Sequence, residues 1–173
     1  MILPGRVVLQ RGIMSNLLST KLQVQPCGID LTLKRVLTFG SSGVVDLDNV
    51  KRKNAETRNI QFLTQPQPND GGMDRYLRLA QGSYLVEFNE LVDMPLDVMG
   101  QIFVRSTLFR SGALLTAGVM DCGYKGVIGA LLQVNNVHGL HVYKNTRMGQ
   151  MVFHQMSEAT DGYSGVYQDK KEM

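Results

Sequence analysis

Seven short apolar runs, most of them opened by a glycine, dominate the chain from residue 28 onward. They are "GIDLTLKRVLTF", "SYLVEFNELVDM", "GQIFVRS", "GALLTAGVMD", "GVIGALLQVNN", "LHVYKN" and "GQMVFHQM". Several alternate apolar and polar residues, as in "YLVEFNE", which suits strands buried on one face. "VIGALLQV" is apolar throughout and suits a strand buried on both. Eighteen glycines punctuate the runs and favour tight turns over helices. The pattern predicts an all-β fold. Helical signal is thin: one short helix near "ILPGRVVLQRGIMSNLL", and a turn or two in "STLFRSGA", with Ser106 as N-cap and Gly112 near the C-cap.

A chain of 173 residues suits a single domain over 1–173 with a real core. Residues 46–82 differ from the rest. They are polar, with prolines and a Gly-Gly, and read as a long excursion with room for one hairpin, too short for a core of its own. Residues 157–173 are polar and carry two tyrosines. Free, such a tail would be disordered; its tyrosines point to docking.

Net charge is +3 and the isoelectric point about 8.9. That balance accommodates an anionic small ligand. "KRK" at 51–53 and "KK" at 170–171 are too short to follow a phosphate backbone, so no nucleic-acid partner is expected. No apolar run approaches the roughly 20 residues that span a bilayer. Arginines break the first apolar stretch, so it is not read as a signal peptide. The expectation is a soluble intracellular protein with no membrane partner, cytoplasmic or acting in a host cytoplasm if viral. Cys27 and Cys122 are far apart with no C-x-x-C, which excludes a zinc knuckle and a disulfide framework; a reduced thiol pair is the simplest reading, with one bridge left open. His138 and His141 are three apart and share no strand face. With His154 they read as turn and surface residues. The ten methionines read as core filler.

Two stretches need a chemical explanation. "RSTLFRSG" places Arg105, Ser106 and Arg110 after an apolar strand, either as solvated helix-start residues or as a pocket for a strong anion. "AGVMDCGYKGVIGALLQVNN" reads as a strand ending at Asp121, a Cys-Gly link, and a second strand opened by Tyr124, Lys125 and Gly126. It is a β-hairpin whose turn carries an acid and a ring. Ordinary turn chemistry explains either feature alone. "QPCGIDLTL", "RMGQMVFHQM" and the tyrosine-bearing tail complete an ordered set. The chain resembles the trimeric dUTPase and dCTP deaminase superfamily over 25–43 and 83–168. "GVMDCGYKGVIGALL" is dUTPase-like; "MILPGRVV" and "GYSGVYQ" are closest to the deaminase branch and its related archaeal-type dUTPases.

The resemblance implies an antiparallel distorted β-barrel or jelly roll, the dUTPase-like β-clip. It also implies a homotrimer with active sites between subunits and a C-terminal segment, about 157–173, folding over the nucleotide. In the deaminases a glutamate after the hairpin shuttles a proton. Here that position is Leu131, Leu132 or Gln133, and none can cycle a proton at neutral pH. Hydrolysis of dUTP to dUMP and pyrophosphate needs a base, cations and Mg2+. By resemblance Asp121 is the base, with Arg105 and Ser106 catalytic on the phosphates and Thr107 and Arg110 beside them. Tyr124 would stack on the deoxyribose and reject a 2′-hydroxyl. The backbone from Gly118 would read uracil, with Gln133 near the base. Gln150 would contact substrate, and Tyr163, Tyr167 and Gln168 would form the lid. Asp30 would hold Mg2+ through water. A dCTP deaminase, bifunctional or not, and a non-catalytic dUTP-binding regulator are the rivals.

Overall fold

The computed structural model describes residues 1–67, 72–170 and 172. The first 25 residues are a set of short pieces: β1 (Ile2–Leu3), α1 (Gly5–Gln10), β2 (Met14–Ser15), α2 (Thr20–Gln23) and β3 (Val24–Gln25). The long strand β4 (Gly28–Phe39) follows, then β5 (Thr57–Asn59), β6 (Leu63–Pro66) and β7 (Met73–Leu79). The second half holds β8 (Gly82–Asp93), β9 (Val98–Val104), α3 (Ser106–Arg110), β10 (Ala113–Thr116), β11 (Lys125–Val134), β12 (Leu140–Tyr143) and β13 (Arg147–Gln155). Every named pairing is antiparallel, and the sheet curls into a half-barrel, as the resemblance implies.

The main path runs β1-β13-β4-β8-β11-β10. β4 is its hinge. Residues Ile29–Thr32 pair with β13, whereas Leu33–Leu37 pair with β8. The change of neighbour falls between Thr32 and Leu33, and just inside the β8 ladder the register slips at Lys34. That bulge leaves one extra residue in β4 immediately after the strand has exchanged β13 for β8. The cost falls on Thr32, whose N–H is bonded by a side chain, whereas Leu33 keeps main-chain partners at Thr146 and Asn145. The fully buried Glu90 on β8 accepts the Thr32 N–H (2.9 Å) and the Thr32 hydroxyl, and its other donor is Gln23 Nε2 at 2.6 Å. Just beyond, the equally buried Glu87 takes Lys34 Nζ at 2.6 Å and Arg35 Nη2 at 2.7 Å.

The core fills the space inside the curl. Ile29, Leu31 and Leu33 on β4, Val86 and Phe88 on β8, Ile128 and Leu132 on β11, and Met151 and Phe153 on β13 are all at most 1% exposed. Leu77, Leu79 and Val142 join the same cluster from the small sheet β12-β7-β6. That sheet explains the excursion. Its polar residues form β5, added to the end of β4, and the β6–β7 hairpin, whose inward residues reach the common core.

Three expectations change, and one helix was not foreseen. β10 ends at Thr116 rather than Asp121, because residues 117–124 leave the β11 ladder and hang instead on Met94 and Gly100. The bonds are Met94 N–H to Tyr124 O, Gly123 N–H to Met94 O and Gly100 N–H to Met120 O, each 2.9 Å. Ser106 is the first residue of α3, not its cap; extended Arg105 takes the cap position, with no side-chain capping bond. α2 had no recognisable signal. His154 lies within β13, half-buried, with a buried Nε2 that finds no partner. Gly112, with φ +78°, does terminate α3 as expected. Both cysteines are free thiols.

Gly28 opens β4 where a Cβ would collide with the main-chain oxygen of Met151 on β13. Gly28→Ala should therefore cost about 3 kcal/mol, read as a lower urea midpoint at unchanged slope.

Candidate active site

The loop 117–124 is aimed by its anchors. With Met94 and Gly100 holding both arms, Gly118, Asp121 and Tyr124 face a hollow of about 600 Å3. Leu85 of β8, Ile102 of β9 and Val127 and Gly129 of β11 supply its apolar lining. Phe39, Asn54, Ala55 and Thr57 come from the end of β4 and the excursion. A second hollow shares Val119, Asp121 and Tyr163 with the first, so the Asp121 carboxylate, exposed to solvent, is accessible from both.

Tyr124 is 8% exposed and donates its hydroxyl to Val127 O at 2.7 Å. That bond locks the ring, and Tyr163 meets it edge-on at 5.5 Å between centroids. Burial, reinforced by Tyr163, pushes the Tyr124 phenol above its ordinary range, so it stays a neutral donor. The ring is a fixed wall of the cavity rather than a titrating group.

The tail docks. Tyr163 N–H bonds Cys122 O at 2.8 Å and Asp169 N–H bonds Lys125 O at 2.8 Å. Gln168 spans the same loop, accepting the Lys125 N–H and donating to Gly123 O. This close approach explains Gly123: with φ +74° and only 2.6 Å between an added Cβ and Gly162 Cα, no larger residue fits. Tyr163, Tyr167 and Lys170 line the cavity; Gln168 works on the main chain behind it.

The other predicted residues assemble elsewhere. Gln150 of β13 sits in register between Asp30 and Phe103. Asp30, 3% exposed, takes Arg105 Nε at 3.2 Å and Arg147 Nη1 at 3.1 Å, both on Oδ2. Arg105 also donates to Arg147 O at 3.1 Å. Ser106, Thr107 and Arg110 stand exposed on α3. Gln133 is half-buried on β11, opposite Leu114 and Ser83. None of these lines the Asp121 cavity. The chain thus builds two separate clusters, an acid-and-ring cavity and an arginine cluster. The residues missed from sequence are Asn54, Ala55 and Thr57, hidden in the polar excursion, and Lys170, the one cation among the described residues of the cavity wall.

Comparison with known proteins fits this geometry. The dCTP deaminase-like family model matches residues 6–156, and the chain belongs to that family. It is 37% identical over 159 residues to the probable deoxyuridine 5′-triphosphate nucleotidohydrolase of Methanosarcina mazei, covering 91% of this chain and 88% of that one. It is 32% identical over 148 residues to the deoxyuridine 5′-triphosphate nucleotidohydrolase of Methanocaldococcus jannaschii, covering 86% of this chain and 88% of that one. In fold it is similar to the 2′-deoxycytidine 5′-triphosphate deaminase of Agrobacterium tumefaciens, with a TM-score of 0.62 at 18% identity. That match covers 88% of this chain and 47% of the deaminase.

Burial raises the Asp30 carboxyl above its usual 3.8, outweighing the pull of Arg105 and Arg147. The folded state therefore holds this proton more tightly than the unfolded chain. The contribution of Asp30 to stability is complete below pH 3.8 and is lost as pH rises through the raised value. Denaturation of wild type and Asp30→Asn across that range should show the wild-type advantage shrinking as pH increases. Separately, Gly123→Ala should free the tail, read as faster proteolysis between Tyr163 and Lys170 with little change in melting temperature.

Proposed function

We propose that the chain is a dUTP diphosphatase, hydrolysing dUTP to dUMP and pyrophosphate. The observation that carries this is the Asp121–Tyr124 cavity, walled by loop main chain and closed by the tail, in a chain whose archaeal relatives carry that activity in their names. The cavity and its loops are read as one catalytic domain spanning 1–173.

The residues divide the work. Asp121 orients a water and takes its proton as the water oxygen bonds to the α-phosphorus and the bond to the bridging oxygen breaks; pyrophosphate leaves. The locked Tyr124 ring packs on the deoxyribose and leaves no volume for a 2′-hydroxyl. Main-chain groups from Gly118 onward read the uracil edge, where a base with a displaced amino group would leave buried polar groups unpaired. Gln133, on β11 but outside the cavity lining of the single chain, is assigned to the base side of the site.

The arginine cluster belongs to the triphosphate. We assign Arg105, Ser106, Thr107 and Arg110, with Gln150, to the phosphates of a site completed by another copy of the chain, in a homotrimer. The reason is geometric: within one chain these residues lie outside the cavity of Asp121. Asp30 and Arg147 hold the Arg105 guanidinium in place, which keeps its fork oriented for a second anion.

Among the described residues no group of three or more His, Cys, Asp and Glu could cage a metal. This donor set fits a Mg2+ that arrives on the triphosphate and keeps most of its waters. Both arginines fall on Oδ2 of Asp30, so a water-mediated contact would fall to Oδ1. When bound, the ion would supply positive charge to the phosphates. Among the described residues no helix is long and apolar enough to cross a membrane, and we assign the enzyme to the cytoplasm.

Asp121→Asn should reduce pyrophosphate release from dUTP by about a thousandfold or more while retaining nucleotide binding. Chelation should stop wild-type turnover and Mg2+ should restore it. Ammonia released from dCTP in the same assay would instead establish the deaminase; analogue binding with no turnover of either nucleotide would establish the regulator.

A further inference from the structure

The excursion is better ordered than its polarity suggests. It is tied back at three places: Gly40 N–H to Glu56 O (2.7 Å), the Val44–Lys53 bridge, and Glu56 N–H to the Ser41 hydroxyl (2.9 Å). Asn54 sits inside this tied segment and reaches the cavity rim. There it accepts the Tyr167 hydroxyl at 3.1 Å, across 113 residues of chain. The Tyr167 ring also carries two cations, the Arg52 guanidinium 5.7 Å and the Lys170 ammonium 5.3 Å from its centroid.

We propose that Asn54 and Arg52 are positioning residues that seat Tyr167, and through it Lys170, over the cavity of their own chain, so that the tail presents its ammonium to the anionic part of a bound nucleotide. The main-chain bonds at Tyr163 and Asp169 fix the two ends of the strap. Gln168 adds its two bonds to the loop and the Lys170 carbonyl accepts the Val127 N–H at 3.3 Å, all on the near wall, while Asn54 and Arg52 hold Tyr167 from the far wall. Tyr167 is exposed, so water competes for its hydroxyl and the strap can open. Lys170 then contributes the positive charge that the other described residues of the cavity wall, which include the acids Asp121 and Glu172, lack. The inference rests on reading the cavity as the nucleotide site.

The test combines hydrogen exchange with ligand affinity. In Asn54→Ala, the Asp169 amide, bonded to Lys125 O, should exchange faster, while the β8 amides keep their protection and report an intact fold. Losing one neutral hydrogen bond should weaken binding of a non-hydrolysable dUTP analogue about fivefold. KM for dUTP should rise by the same factor, with kcat held within about twofold. Tyr167→Phe should reproduce the effect, and the double variant should be no worse than either single one. Asn54→Asp keeps an acceptor for the Tyr167 hydroxyl and should restore protection of the Asp169 amide, the readout that its added negative charge does not touch directly. Unchanged Asp169 exchange, unchanged analogue affinity, or additive losses would overturn the proposal. If wild type binds the analogue but does not hydrolyse dUTP, the proposed reaction fails, and exchange and affinity still decide the strap.

Discussion

The crossing of β4 from one ladder to the other is the constraint on which everything else rests. At Thr32–Arg35 the strand leaves β13 and takes up β8, and a buried amide without a partner there would cost about as much as a lost hydrogen bond. Glu90 resolves this with a carboxylate placed where a strand would otherwise be. Because Glu90 accepts both the Thr32 N–H and its hydroxyl, the crossover has one geometry. Glu87, gripped by Lys34 and Arg35, fixes the next turn of the strand. Two buried acids in a β-sheet core look like a liability. Here each carries its own set of donors, which is the condition under which buried charge is tolerated.

From that crossing follow the two halves of the chemistry. The first part of β4 carries Asp30 into the β13–β9 layer, where it meets Arg105 and Arg147. The last part carries Phe39 to the cavity and gives β5 an edge to pair with. One strand therefore sets the place of the arginine cluster and of the acid-bearing cavity, and holds them apart within the chain.

Strand content was legible because period-two patterning and glycine punctuation are local signals. "GIDLTLKRVLTF" coincides with β4 from end to end. Asp121, Gly118, Tyr124, Tyr163 and Tyr167, singled out from short motifs, line one cavity. The loop geometry was not legible. "GALLTAGVMD" reads as one strand, yet its second half abandons its neighbour for Met94 and Gly100, because hydrogen bonds to distant segments leave no mark in local alternation. Nor was Asn54 legible: an asparagine in a polar stretch carries no pattern, and its partner lies 113 residues away.

By itself, the amino-acid sequence determined the antiparallel β character, the acid and ring of the candidate site, and the absence of an acid at Leu131, Leu132 and Gln133. These depend on residue type and short spacing. Only the tertiary structure decided that Asp30 is an arginine anchor first, that Arg105 and Asp121 face different places, and that the polar excursion walls the cavity and holds the tail. Each of those depends on register, on the slip at Lys34, and on contacts between segments far apart in the chain. Local chemistry cannot encode them, because they exist only once the core has chosen which strands meet.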